Sequence, residues 1–143
     1  MSRASSYLTI ILLLASFACT SRQERAREEI RQGEAALFAS DLNKAKEHFD
    51  KAIDLDPGNA EAWLRRASVY SNLQGYDLAL ADLDKAIDLD PDMADAWYNR
   101  ATIKTILGND LEACDDYKEA YRLGKKNMYD KVKHCPDPPE RRE

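Results

Sequence analysis

Glycine, histidine and cysteine are scarce in this chain, and each scarcity removes a class of chemistry. The five glycines are scattered, so no Gly-rich loop is present to cradle a phosphate. No Gly-x-Ser-x-Gly or His-Glu-x-x-His run occurs, and no nucleophile stands beside a base. There are only two histidines, His48 and His134, too few to supply a metal site that needs three or four converging ligands. Asp88-x-Asp90-x-Asp92 faintly echoes a calcium loop, but Pro91 intrudes and Met93 stands where glycine is required. Three cysteines are present with no Cys-x-x-Cys among them. Basic residues are not massed: the net charge is −5, which suits solubility rather than a nucleic-acid footprint. No enzyme activity, cofactor, metal, nucleic acid or small-molecule substrate is therefore expected.

Long apolar runs are also missing, with one partial exception. Residues 7–18 are almost wholly apolar, but about a dozen residues fall short of the roughly 20 that span a bilayer as a helix. Arg3 lies before this stretch and the small residues Ala15, Ser16, Ala18 and Cys19 end it, the order of an export signal over 1–19. Ser16-Phe17-Ala18-Cys19 resembles a bacterial lipobox. That resemblance implies acylation of Cys19 and cleavage just before it, leaving a lipid tether to a membrane surface. Ordinary secretory cleavage and an uncleaved anchor stay open as alternatives. Thr20 rather than Asp follows the cysteine, and by the same resemblance this implies an outer-membrane lipoprotein facing the periplasm; failing acylation, the protein would be periplasmic or secreted. Residues 20–25 are polar and short, and read as a tether.

What the chain has in abundance is repetition. Asp-Lys-Ala-Ile-Asp-Leu-Asp-Pro occurs at Asp50–Pro57 and again at Asp84–Pro91, and each copy is followed by Ala-x-Ala-Trp, ending at Trp63 and Trp97. A period of 34 residues marks a stacked helical repeat, with units at 26–59, 60–93 and 94–127. Trp63, Ala67 and Tyr70 share one helical face; Tyr76, Ala79, Leu83, Ala86 and Ile87 share the next. Gly75 lies between these runs and is expected to permit the turn. Pro57 and Pro91 end the second helices. Small residues at Gly33, Ala67 and Ala101 face small ones at Ala45, Ala79 and Ala113, so backbones can approach closely. Phe49, Leu83 and Tyr117 fill the adjoining space, and no pair buries its apolar face alone.

These positions resemble the tetratricopeptide repeat family: Trp63, Ala67, Tyr70, Ala79, Leu83, Ala86 and Pro91 in the second unit, and Trp97, Ala101, Gly108, Ala113, Tyr117 and Ala120 in the third. The first has Glu29 in place of the Trp. The resemblance implies an all-α, right-handed superhelical solenoid of three repeats, closed by a short capping helix at 128–135. The proline-rich residues 136–143 read as a disordered tail.

The resemblance also implies a partner, since first helices of the family line a concave groove for a protein or peptide. Projected there are Phe38, Leu64, Arg65, Ser68, Asn72, Tyr98, Asn99 and Thr102. Phe38, Leu64 and Tyr98 are the expected anchors and Arg65 the orienting group. A family clamp for terminal carboxylates would use the places held here by Ile30, Glu34, Arg65, Asp95 and Asn99; Ile30, Glu34 and Asp95 break it, and the two acids would repel a carboxylate. The expected role is a non-enzymatic adaptor; the alternative is a self-associating scaffold of envelope, secretion or pilus machinery. Cys114 lies on the second helix of unit three, and Cys135 ends the cap that must pack on it. In an oxidising compartment the two could form a disulfide, worth roughly 3 kcal/mol for a loop of about 20 residues. Similar small exported repeat proteins share Ala113-Cys114-x-Asp116-Tyr117 and a late cysteine. Free thiols, with Cys114 a small core residue, and a redox-active pair are the alternatives.

Overall fold

The computed structural model describes residues 3–126, 128–133 and 135, with side chains from residue 20 onward except that of Tyr129. Among them every regular element is a helix: α1 Arg3–Phe38, α2 Leu42–Leu55, α3 Ala60–Asn72, α4 Tyr76–Leu89, α5 Ala94–Ile106, α6 Asp110–Arg122 and α7 Tyr129–Val132. They form two compact units, residues 1–58 and residues 59–143. Asn127, His134 and the proline-rich tail lie outside the described residues.

In the first unit α1 packs along α2. Residues 20–25, expected as a tether, are helical and continue into the repeat. The physical reason is composition: no glycine or proline precedes Gly33, and Arg22, Gln23, Glu24 and Arg25 all favour helix. Arg22 donates to the Asp54 carbonyl at 3.2 Å, near the end of α2. Gly33 meets Phe49 where the helices cross. A Cβ there would stand 2.5 Å from the Phe49 ring, so a fully buried phenyl requires the missing side chain.

In the second unit α3 pairs with α4, α5 with α6, and α7 sits on α6. Leu64, Ala67, Ala79, Leu83, Ala86, Ile87, Ala96 and Ile103 make one buried cluster; Ala101, Ala113, Tyr117, Ala120 and Met128 make another. Each fully buried Leu or Ile contributes about 2 kcal/mol from its apolar area. The expected cap at 128–135 is a single turn at Tyr129–Val132, anchored by Met128, which is 2% exposed.

The turns repeat as faithfully as the core. Ser40, Gln74 and Gly108 have φ of 61°, 60° and 81°, at 34-residue intervals. In the second repeat the left-handed residue is Gln74, immediately before Gly75. Gly75 has φ −81° and serves as the N-cap of α4. Asp41 and Asn59 cap α2 and α3 with side-chain bonds to the Lys44 and Ala62 amides. Asp56 and Asp90, each before a proline, have φ −141° and end α2 and α4, as the clash with the proline ring requires.

A second periodic feature escaped the sequence reading. Arg66 holds Asp82 through two hydrogen bonds of 2.8 Å. Thirty-four residues on, Arg100 holds Asp116 at 2.9 and 2.7 Å. Both aspartates are buried. Each guanidinium also lies over a tryptophan, Arg66 above Trp63 at 4.9 Å and Arg100 above Trp97 at 4.7 Å. Arg100 further bonds Asp84 of the preceding helix pair at 2.6 Å, and Lys104 adds a 2.9 Å pair to Asp116. Burial opposes the charge of Arg100, yet its bonds to Asp116 and Asp84 outweigh that and raise its pKa.

Candidate partner-binding groove

The first helices α3 and α5 lie side by side, and a hollow of about 210 Å³ opens between them. Its floor is Ala67, Leu83 and Ile103, all buried. Its walls are Ser68, Ser71 and Asn72 from α3 and Tyr98, Asn99 and Thr102 from α5. Helical spacing explains the set: 68, 71 and 72 share one face of α3, and 98, 99 and 102 share one face of α5. Five residues expected on a partner face, Ser68, Asn72, Tyr98, Asn99 and Thr102, therefore meet in one place.

The remaining three do not join them. Leu64 is 6% exposed and belongs to the core with Ala96, so it is not an available anchor. The reason lies in stacking: α5 covers that side of α3. Tyr98 occupies the same place one repeat later, where no further first helix covers it among the described residues, and it stays half-buried. Arg65 bonds Glu61 one turn earlier at 2.8 Å and does not line the hollow. Phe38 ends α1 in the first unit and is 96% exposed. Ile30, in one of the clamp places, is buried as well.

The polar groups of the walls are mostly turned onto their own helices. Ser68 donates to the Leu64 carbonyl at 3.1 Å, Thr102 to Tyr98 at 2.9 Å, and the Asn72 amide nitrogen to Ser68 at 2.9 Å. The Asn99 side chain makes no hydrogen bond among the described residues. Tyr98 tilts against Tyr117, ring centroids 5.9 Å apart, with the Lys125 and Lys131 ammonium groups 4.9 and 5.9 Å from its ring centre. Lys125 also pairs with Asp95, and Lys131 donates to the Tyr117 hydroxyl at 3.3 Å. Burial pushes the Tyr117 phenol up, but bonds with Thr102, Thr105 and Lys131 outweigh it and leave the pKa lowered.

The cysteines behind this cluster are joined in the structure, Cys114 to Cys135, with Cα atoms 5.4 Å apart. The bond ties the segment after α7 to α6. Cys19 lies within α1, and its side chain is outside the described residues. Among the described residues no helix is long and apolar enough to cross a membrane, and no group of three or more His, Cys, Asp or Glu could hold a metal. His48 instead contacts Glu29 at 2.8 Å.

Comparison with known proteins agrees with this architecture. Family models described as tetratricopeptide repeat match residues 30–59, 48–81 and 94–127, together more than half of the chain. DnaJ homolog subfamily C member 7 of Mus musculus is 31% identical over 96 residues, 67% of this chain and 19% of its own length. The chain thus spans about a fifth of that relative. The Arabidopsis OM64 TPR domain is similar with TM-score 0.74 and 27% identity, covering 78% of this chain and 94% of that one. The second TPR of Spaghetti (RPAP3), bound to HSP90 peptide SRMEEVD, gives TM-score 0.71 and 30% identity, covering 74% and 97%. The paired helices, their 34-residue register and these matches converge: this chain belongs to the tetratricopeptide repeat family, whose repeats serve as protein-interaction modules.

Proposed function

We propose that the protein is a non-enzymatic adaptor that captures an extended segment of another protein in the α3/α5 groove. The observation that carries this reading is the convergence of Ser68, Asn72, Tyr98, Asn99 and Thr102 around one apolar-floored hollow. Preformed helices supply a rigid surface, and a few contacts supply the affinity. The relative bound to HSP90 peptide SRMEEVD supports a peptide as the kind of ligand. A photo-crosslinking residue placed at Tyr98 in the native cell should give discrete adducts that are absent when it replaces Tyr121. Equal labelling from both positions would remove the groove from consideration.

We further propose export and a lipid tether at Cys19. The lipobox-like residues before it support this, and intact mass of membrane-extracted protein is the test. A mass equal to the uncleaved, unmodified chain would reject it. The scaffold alternative is favoured by one observation: Leu73, Leu78, Ile106, Leu107 and Leu111 are exposed around the α3–α4 and α5–α6 turns. A stable homo-oligomer in sedimentation would support that alternative, and a monomer would support the adaptor.

A further inference from the structure

We infer that the α3/α5 groove selects an uncharged, extended segment, gripped by its backbone amides at Asn72 and Asn99, with one aliphatic side chain seated on Ala67, Leu83 and Ile103. The inference rests on the adaptor reading and specifies its partner by chemistry.

Four features converge on it. None of the lining residues carries a charge at neutral pH. The Lys125 and Lys131 ammonium groups stand beside Tyr98, but neither lines the hollow, and Lys125 is paired with Asp95. An ionised side chain seated on this floor would be stripped of water by a lining that carries no charge of its own. Next, the hydroxyls of Ser68 and Thr102 are committed to their own helices. Among the described residues the Asn72 carbonyl oxygen and the whole Asn99 amide make no hydrogen bond and are open to a ligand. An amide offers donors and an acceptor together, which matches the N–H and C=O of a peptide unit. Finally, a volume of about 210 Å³ falls below the range usual for small-molecule sites and suits a single side chain. This partner differs from the acid-rich SRMEEVD peptide of the relative.

The test is to pan a random dodecapeptide library on the immobilised full chain and measure enriched peptides by fluorescence anisotropy. The result expected is enrichment of peptides free of Asp, Glu, Lys and Arg that carry one Val, Ile or Leu. Their affinity should change less than about twofold between low and high salt. Asn99→Ala should weaken them about tenfold, the loss of roughly one hydrogen-bonded group, with unchanged melting temperature. Enrichment of acidic peptides with steep salt dependence would overturn the inference and leave the adaptor reading standing. So would affinity indifferent to Asn99→Ala and Asn72→Ala together, provided Tyr98 still crosslinks. Recovery of no peptide, with no adduct from position 98, would overturn both.

Discussion

The first helix pair and the two later ones close the same crossing with different chemistry. At one place in the repeat stand Gln32, Arg66 and Arg100; at the place facing it stand His48, Asp82 and Asp116. The later pairs use a buried bidentate ion pair roofed by tryptophan. The first has Glu29 in place of that tryptophan, and Glu29 reaches His48 at 2.8 Å. The apolar packing changes in step: Gly33 meets Phe49, Ala67 shares a cluster with Leu83, and Ala101 shares one with Tyr117. A repeat can therefore exchange its polar latch and its knob and hole, provided each exchange is made on both helices at once.

Removing half of a latch should break this comparison most visibly. Arg66→Met leaves Asp82, buried, without its guanidinium, and should cost about 3 kcal/mol. Arg100→Met should cost less, because Lys104 remains 2.9 Å from Asp116. Gln32→Met should be nearly neutral. Denaturant unfolding of the three variants checks the order, and equal losses would show that the latch does not stabilise the crossing. Next in size is the staple that only the third pair has. Cys114→Ser with Cys135→Ser should lower stability by roughly 3 kcal/mol or less, and hydrogen exchange should rise first around Met128. Unchanged exchange there would mean that packing alone holds the cap.

Gly33→Ala pits a better helix former, worth about 1 kcal/mol, against a clash with the Phe49 ring. Overpacking costs about 1–3 kcal/mol, so net destabilisation is expected. Gly33→Ala combined with Phe49→Leu copies the second repeat and should recover much of the loss. Thermal melts of the single and double variants decide this.

The smallest effect is electrostatic. A hydrogen bond from Arg31 holds Glu28 at about 2, and one from Arg122 lowers Glu119. Both native pKa values lie below their unfolded ones. Their stabilising contribution is therefore present above the ordinary carboxylate range and lost as pH falls through the native values. Glu28 is exposed and Glu119 half-buried, with both pairs open to solvent screening, so the acid limb of a melting-temperature profile should flatten only slightly in Arg122→Ala. A large change would mean that these surface pairs matter more than exposure allows.

The fold was legible because its evidence is periodic. The doubled octapeptide, the two prolines and the small residues at 33, 67 and 101 each fixed a helix end or crossing. Arg66 with Asp82 and Arg100 with Asp116 carried the same 34-residue signal, but charged residues are readily assigned to water. Recurrence of opposite charges at one spacing was the available clue to their burial. Leu64 shows the converse. Its helical face was legible, but whether that face meets solvent or the next first helix depends on stacking. Tyr98, with the same register, meets no further first helix among the described residues. The tether at 20–25 was assigned from polarity, which does not stop a helix when breakers are missing. Asn99 could be placed on the groove from the family resemblance, whereas its lack of a hydrogen-bond partner among the described residues depends on the rotamers of its neighbours.

The central claim is that the face shared by α3 and α5 receives the partner, and amide chemical-shift mapping on the full chain tests it most directly. On titration with the tightest peptide from the panning, the largest shifts should fall at 67–72 and 98–103. Largest shifts on α4, α6 or the first helix pair would contradict it.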